Sequence, residues 1–322
     1  MYRVLKRKHR AYLLIFFAFI FSLSIICSVF FEKNRVFPKC PRCKKAIQIT
    51  GNSSPRDLVI SSVFGRESSA QVFLRSLRSV GCKAKVVLIS NSSVSENQVQ
   101  FAKICGAEYF IMKSPDNSTT FYPHSLRYIG YSQFFQSNRD IYDRILHSDS
   151  FDVYFQSDPF TENIEKQNLY FAMEGIPIGN STWNTGWLNR AYNESVSFNL
   201  SNYEVSCSGT VIGGFDQFKK YLNTMLSHSP FWNNGRHSLD QAYHNFLLHT
   251  GQFQREGVNT RFLGCDSHIL TMHYCSRHGK EVISDHQIRG PLNLSSPAIV
   301  HQYNLFPRSS DIINRLCPKN RL

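Results

Sequence analysis

Hydrophobic and polar positions alternate with two different periods along residues 57 to 112. Apolar residues recur at helical spacing in Ser68 to Val80 and in Glu96 to Ile104, and β-branched runs lie between these segments. The predicted strands are Asp57 to Phe64, Lys85 to Ile89 and Glu108 to Met112. This alternation predicts an α/β fold with a parallel sheet and right-handed crossovers, which binds ligands beyond the carboxyl ends of its strands.

The second half of the chain continues this pattern less regularly. Helices are predicted from about Ser125, over Phe215 to His228 and from Ser238; strands are predicted at Arg144 to Leu146, Tyr170 to Met173, Cys207 to Gly214 and Ala298 to Asn304. No Gly-x-Gly-x-x-Gly sequence follows the first predicted strand, so a dinucleotide-binding fold is disfavoured.

An uncharged apolar run covers residues 11 to 31 and matches the roughly 20 residues that a helix needs to cross a bilayer. The preceding MYRVLKRKHR is basic, so the positive-inside rule places it in the cytosol and the rest of the chain in the lumen. A cleavable signal peptide is the alternative, although its apolar core is normally shorter. We expect a cytosolic tail (1–10), a transmembrane signal anchor (11–31), a stem (32–55) and a lumenal domain (56–322).

Sequons and cysteines fit a lumenal body. The Asn-x-Ser/Thr sequons after the apolar run are at Asn52, Asn91, Asn117, Asn180, Asn193, Asn199 and Asn293. The cysteines beyond the run are even in number, which predicts disulfides in an oxidising compartment. The formal charge of +13 indicates either a surface for phosphates and anionic acceptors or ordinary glycoprotein chemistry. Nucleic acid is not an expected partner of a lumenal domain.

Two cysteine patterns allow more than one interpretation. Cys40-Pro-Arg-Cys43 has the spacing of a redox motif, but its place in the stem favours a structural or intermolecular disulfide. Cys265 and Cys275, with the histidines near them, have spacings found in zinc sites. A disulfide between Cys265 and Cys275 across a hairpin is the favoured alternative.

The candidate chemistry centres on YDRILHSDSFDVYFQSDPF, residues 142 to 160. A short apolar strand is followed by Asp149, Asp152 and Asp158. Carboxylates at the end of a buried strand cost free energy unless a cation lies beside them, and a divalent metal holding a diphosphate is one such cation. The alternative is that Asp149 and Asp152 cap a turn.

At these residues the sequence resembles the GT-A glycosyltransferases, which transfer a sugar from a nucleotide-sugar donor through an Asp-x-Asp metal motif. Asp149 and Asp152 are spaced as Asp-x-x-Asp, one residue longer than the commonest form, and Val153 to Phe160 follows as in some GT-A-like families. Three later elements add to the resemblance: the small-residue strand Cys207 to Gly214, the pair Asp240-Gln241 and the late His301. The resemblance covers about residues 57 to 305 and implies a mixed, mainly parallel sheet flanked by helices.

The resemblance also implies roles for residues. It implies a Mn2+ (or Mg2+) site at Asp149, Asp152 and His301; donor binding by Arg127, Asp149, Asp152, Gly209, Gly213 and Gly214; and catalysis by Asp240 and Gln241 at the acceptor. Trp183 and Trp187 could stack on a sugar, or could simply be packed. A UDP-sugar donor, a glycan, glycoprotein or glycolipid acceptor, and a Golgi type II membrane protein follow as expectations, with retention or inversion left open.

Other interpretations compete with these roles. Arg127 could be solvated, His301 could be structural, and Ser238 with Gln241 could form a capping box at the start of a helix. For the whole chain, the alternatives are a catalytically inactive relative that binds glycans or partner enzymes, and a structural surface glycoprotein. Binding of a nucleotide sugar would exclude the second of these, and metal-dependent nucleotide binding would argue against the first.

Overall fold

A seven-stranded mixed sheet forms the centre of the protein. Its strands, numbered along the chain, are β1 (Asp57–Ser62), β2 (Lys85–Ser90), β3 (Ala107–Ile111), β4 (Arg144–Ser148), β6 (Leu169–Pro177), β7 (Glu204–Gly214) and β8 (Thr260–Leu263). Their order is β3-β2-β1-β4-β7-β6-β8. All neighbours pair in parallel except β7, which is antiparallel to both β4 and β6. The predicted α/β class with a mixed, mainly parallel sheet is confirmed.

The computed structural model describes residues 40, 43, 51–64, 70–115, 123–228, 239–276, 282–284, 287–292 and 296–318. From Cys40 onward they belong to one compact unit. The predicted cytosolic tail, signal anchor and most of the stem lie outside these residues. Within them, no helix combines the length and the apolar character needed to cross a bilayer.

Helices cover the sheet on both faces because successive strand residues point to opposite sides. In β1, Leu58 and Ile60 enter one core and Val59 enters the other. The helices are α1 (Ala70–Ser79), α2 (Glu96–Ile104), α3 (Pro123–Ser137), α4 (Thr182–Ala191), α5 (Glu194–Asn199), α6 (Phe215–Ser227), α7 (Asp240–His249), α8 (Gln252–Arg255), α9 (Met272–Cys275) and α10 (Pro307–Leu316). Helices α3, α6 and α7 pack on the face of the sheet that carries Leu58, and α1 packs on the opposite face, which carries Val59.

The strand predicted at Tyr170 to Met173 is longer in the structure, where β6 continues to Pro177. Gly175 has a φ of 66°, and the pairing of β6 with β7 shifts register between Met173 and Pro177. Gly175 allows the backbone irregularity, so the strand continues beyond it. The apolar run in the sequence marks only the first part of this strand.

A small second sheet joins distant parts of the chain. It has the order β5-β12-β9, formed by Val153–Phe155, Ile299–His301 and Ile269–Thr271. The antiparallel register of β5 and β12 places His301 opposite Val153. The end of the late strand is thereby fixed beside the acidic stretch. A separate hairpin pairs β10 (Val282–Ser284) with β11 (Gln287–Arg289).

Disulfides fasten both ends of the described chain to the domain. Cys40 pairs with Cys317, Cys43 with Cys105, and Cys265 with Cys275. The two cysteines of the Cys-x-x-Cys pattern therefore have separate structural partners, and the predicted Cys265 to Cys275 disulfide is confirmed over the zinc alternative. Among the described cysteines outside these disulfides, Cys82 and Cys207 have buried, free thiols.

The sequon asparagines within the described residues are all exposed. These are Asn52, Asn91, Asn180, Asn193 and Asn199. Asn117 and Asn293 lie outside the described residues. Exposure is what an N-linked glycan requires, so the described sequons stay candidate glycosylation sites.

Candidate metal centre

The cluster of Asp149, Asp152 and His301 is formed by the ends of β4 and β12. Asp149 directly follows β4, Asp152 directly precedes β5, and His301 is the last residue of β12. The Nε2 atom of His301 lies 3.3 Å from Oδ2 of Asp149 and 3.6 Å from Oδ1 of Asp152. One potential ligand atom from each of the three residues lies within 4.8 Å of the others. The cluster could therefore hold a metal ion.

Two buried atoms of the cluster have no hydrogen-bond partner. They are Oδ1 of Asp152 and Nε2 of His301, and both residues are buried. Unsatisfied polar atoms in a protein interior cost free energy and call for an explanation such as an ion. Asp149 keeps some contact with solvent, which leaves a route of entry. Two carboxylates and an imidazole form a donor set suited to divalent cations such as Mn2+.

Gly209 provides the space beside these ligands. A Cβ atom at this position would lie 2.6 Å from Oδ2 of Asp149 and 2.7 Å from Cε1 of His301. Its carbonyl oxygen accepts a hydrogen bond from the backbone N–H of Asp149 at 2.8 Å. Any larger residue would push the two ligands apart, so the glycine is required by the cluster itself.

Charges within the cluster shift its pKa values in opposite directions. Burial, reinforced by the charge of Asp149, raises the pKa of Asp152 to about 7. Burial alone would lower the pKa of His301, but Cys207, Asp152 and Asp149 raise it well above its usual range. Burial opposes ionisation of Asp149, yet Arg127 and then His301 bring its pKa below the usual range. The cluster therefore retains protons near neutral pH that a bound cation would displace.

This proton competition predicts a pH-dependent metal affinity. Asp152 and His301 bind a cation only when deprotonated, and their raised pKa values keep them protonated at low pH. We expect the affinity for Mn2+ to rise about tenfold or more between pH 6 and pH 8. Calorimetric titration with Mn2+ in two buffers of different ionisation enthalpy measures both the affinity and the protons released. An affinity that is constant over this pH range, without proton release, would contradict the assignment.

Arg127 joins the cluster to the start of α7. Its Nη1 atom donates to Oδ1 of Asp149, and its Nη2 atom donates to Oδ2 of Asp240 at 2.5 Å. The side chain is 2% exposed, so it is not the solvated arginine of the alternative interpretation. Both ends of the guanidinium are held by carboxylates, which favours positioning of these two acids over direct contact with donor phosphates.

Gln241 is held by several hydrogen bonds at the first turn of α7. Its Oε1 atom accepts from the backbone N–H of Ser208 and lies 3.4 Å from the hydroxyl oxygen of that residue, and its Nε2 atom donates to Oδ1 of Asn184 at 2.9 Å. The residue before the helix is Leu239, which makes no side-chain cap. Ser238 lies outside the described residues. The amide of Gln241 is thus directed across to β7 and α4.

Sequence reasoning missed Glu174 as a member of this region. It is a buried carboxyl in β6 whose neighbours include Gln241, Cys207 and His301. Burial raises the pKa of Glu174 to about 7, and these neighbours reduce the shift only in part. An acid inside the apolar run LYFAMEGIP was the available signal, but the predicted strand stopped at Met173, one residue before it.

The pKa of Glu174 predicts how its replacement changes stability. Because the folded-state pKa lies above the ordinary glutamate value, the protonated form favours folding, and that contribution is lost as pH rises from about 4.5 to 7. The quantity to compare is the free energy of unfolding of Glu174→Gln minus that of wild type. We expect this difference to be more positive at pH 8 than at pH 5 by up to about 3 kcal/mol. Chemical denaturation in EDTA at both pH values measures this difference. If the variant differed from wild type by the same amount at pH 5 and pH 8, Glu174 would ionise as an ordinary glutamate does.

Not all of the predicted site residues meet at the cluster. Gly213 and Gly214 pair with Ile145 and Arg144 at the beginning of β4, whereas Thr210 pairs with Ser148 at its end. Gly213 and Gly214 are thus separated from Asp149 by roughly 13 Å and roughly 17 Å along the strand, and a Cβ at either would collide with the backbone of Asn168 or Lys166. The structure places these two glycines in sheet packing rather than beside the cluster.

The two tryptophans lie on α4, the helix that supplies Asn184. Trp183 is 60% exposed, while Trp187 is half-buried and packs against the core. Their ring centroids are 6.1 Å apart. An exposed aromatic ring on a helix linked to Gln241 stays a candidate sugar contact, and Trp187 has the packed role of the alternative interpretation.

No protein-family model matches this chain, and no curated protein matches its sequence significantly. The function is therefore inferred from the chemistry of these residues and from the resemblance of their motifs. The cluster, Arg127, Asp240 and Gln241 form a continuous set of contacts from the end of β4 to the start of α7.

Proposed function

We propose that this chain is a metal-dependent glycosyltransferase with a GT-A-like fold. It would move a sugar from a nucleotide-sugar donor, with a UDP-sugar favoured, to a glycan, glycoprotein or glycolipid acceptor. The observation that carries the proposal is the buried cluster of Asp149, Asp152 and His301 at the carboxyl end of a central strand. Open α/β sheets bind ligands at this edge.

The donor set supports a divalent cation as cofactor. Asp149, Asp152 and His301 would hold it, and the imidazole favours Mn2+ over Mg2+. When bound, such a cation neutralises the negative charge that grows on a diphosphate leaving group. The unsatisfied Oδ1 of Asp152 and Nε2 of His301 are the atoms that it would satisfy.

The surrounding residues supply orientation. Arg127 fixes the carboxylate of Asp149 on one side and that of Asp240 on the other. Ser208 donates to Asp240 at 3.0 Å and also contacts Gln241. Asp240 and Gln241 therefore have defined orientations next to the cluster, which suits the proposed role of facing the acceptor and the reacting carbon.

The proposed location is the Golgi membrane, with the domain in the lumen. The apolar run at 11–31, its basic flank and the sequons carry this part of the proposal. Three disulfides and exposed sequon asparagines are what an oxidising lumen permits. The acceptor would then be a glycan, a glycoprotein or a glycolipid of the secretory pathway.

Donor hydrolysis tests the proposal without knowledge of the acceptor. The purified full-length chain is incubated with a panel of UDP-sugars and GDP-mannose, and release of the nucleotide is measured. We expect release from one UDP-sugar that stops with EDTA and returns with Mn2+. A chain that binds Mn2+ but hydrolyses no donor would instead support the catalytically inactive, glycan-binding alternative.

A further inference from the structure

The ring of His301 has two differently used nitrogens. Its Nε2 faces Asp149 and Asp152 without a hydrogen-bond partner. Its Nδ1 lies 3.5 Å from Sγ of Cys207 and 3.3 Å from Oγ1 of Thr210, both on β7. One side of the ring thus faces the proposed cation, and the other side is engaged by the sheet.

A neutral imidazole can bind a cation through Nε2 only if its proton is on Nδ1. A proton on Nδ1 needs an acceptor, and both the thiol sulfur of Cys207 and the hydroxyl oxygen of Thr210 are in reach. The contacts on β7 therefore bear directly on which tautomer His301 adopts.

Glu174 extends this set of contacts by one residue. It is a buried carboxyl close enough to Cys207 and His301 for their charges to interact. A thiol beside a carboxyl can donate its hydrogen to that group and still accept from Nδ1 of His301 through its sulfur lone pairs. The result is a line of three buried residues, from β6 through β7 to β12, that ends at the cluster.

We propose that Glu174 and Cys207 are positioning residues of the metal centre, which together with Thr210 hold His301 in the tautomer that presents Nε2 to the cation. The inference rests on the proposed function only in requiring a cation at the cluster. It assigns a role to the buried free thiol of Cys207 and to a buried acid, neither of which is itself a ligand. Partners that orient a metal-binding histidine typically change affinity by 10- to 100-fold when removed.

Mn2+ affinity, measured by calorimetry on the full-length chain, tests this role without any sugar donor. We expect Cys207→Val to weaken Mn2+ binding about tenfold and Cys207→Val combined with Thr210→Val to weaken it about 100-fold. Cys207→Ser keeps a hydroxyl that can accept from Nδ1 and donate to Glu174, so it should restore most of the affinity. Cys82→Val is the matched control, since Cys82 is also a buried free thiol but lies in the core around α1.

The tautomer itself gives a second measurement that does not depend on metal. In histidine labelled with nitrogen-15, a pH titration identifies the range in which His301 is neutral, and in that range the distinct chemical shifts of its two ring nitrogens report which one is protonated. We expect the proton on Nδ1 in the wild type and a mixture of tautomers in Glu174→Gln, which preserves the shape of the side chain. If the valine variants do not fold, the tautomer of His301 in Glu174→Gln still tests the inference.

The outcomes separate this inference from the proposed function. If Asp152→Asn abolishes Mn2+ binding while the double valine variant binds as wild type does, the positioning role is overturned and the metal site stands. An unchanged tautomer in Glu174→Gln likewise overturns the part assigned to Glu174. If the wild type itself binds no Mn2+, both the metal centre and this inference fail.

Discussion

Asp152→Asn should remove Mn2+ binding while leaving the protein folded. The substitution keeps the shape of the side chain but replaces the carboxylate that lies 3.6 Å from Nε2 of His301 with a neutral amide. A buried carboxylate with an unsatisfied oxygen contributes little to stability by itself. We therefore expect at least about a 100-fold loss of Mn2+ affinity, a larger effect than for residues that only orient a ligand. Calorimetric titration and thermal denaturation measure the two properties on the same sample.

Asp158→Asn is the matched control for this substitution. Asp158 is a buried acid of the same stretch, but its carboxylate accepts hydrogen bonds from the N–H and hydroxyl of Ser53 and from the N–H of Phe160. Its replacement should lower the melting temperature and leave the affinity for Mn2+ unchanged. Equal Mn2+ affinity in Asp152→Asn and wild type would remove Asp152 from the site.

Arg127→Met should produce the largest loss of stability in the site. The substitution leaves the carboxylates of Asp149 and Asp240 without the guanidinium that neutralises them. Removing one partner of a buried ion pair costs about 3–5 kcal/mol, because an uncompensated charge stays in the interior. Chemical denaturation in EDTA should therefore show a decrease of that size in the free energy of unfolding.

A double substitution identifies the cause of that loss. Adding Asp240→Asn to Arg127→Met removes one of the two carboxylates that have lost the guanidinium and should recover part of the stability. Adding Asp57→Asn should recover none, because Asp57 is a buried acid paired with Arg144 instead. If both double variants were equally unstable, the loss would come from the packing of Arg127 and not from its charge.

The layered fold could be predicted from the sequence because it depends on local patterns. The alternation of strands and helices over residues 57 to 112 has short connections and clear periods, and β1, β2 and β3 with α1 and α2 lie within two residues of their predicted limits. The antiparallel insertion of β7 between β4 and β6 has no such local signal, because pairing partners are chosen by the whole sheet.

The site could be predicted only in part. Asp149 and Asp152 stand out as acids after a strand, but nothing local to His301 indicates that β12 pairs with β5 and brings it beside them. The resemblance to a known family implied that His301 binds the metal, but it did not imply this pairing of strands. Gly209, Gly213 and Gly214 look alike in sequence, yet the antiparallel direction of β7 places only the first beside the cluster.

The role of Arg127 was equally hidden. Its spacing from Tyr131 indicates one face of α3, but it does not say that this face points inward at two carboxylates. Glu174 was not predicted as a site residue because an acid at the end of an apolar run is more often exposed. In both cases the surroundings of a charged side chain come from chain segments distant in sequence, so a pattern of neighbouring residues could not reveal them.

Nucleotide binding with and without metal is the direct test of a metal-dependent donor site. The full-length chain is titrated with UDP, and separately with GDP, in Mn2+ or in EDTA, for wild type and Asp152→Asn. We expect UDP to bind wild type at least about tenfold more tightly with Mn2+ than with EDTA, and we expect no such difference in Asp152→Asn. Failure of both nucleotides to bind in Mn2+, or equal binding in Mn2+ and EDTA, would contradict a metal-dependent nucleotide-sugar site.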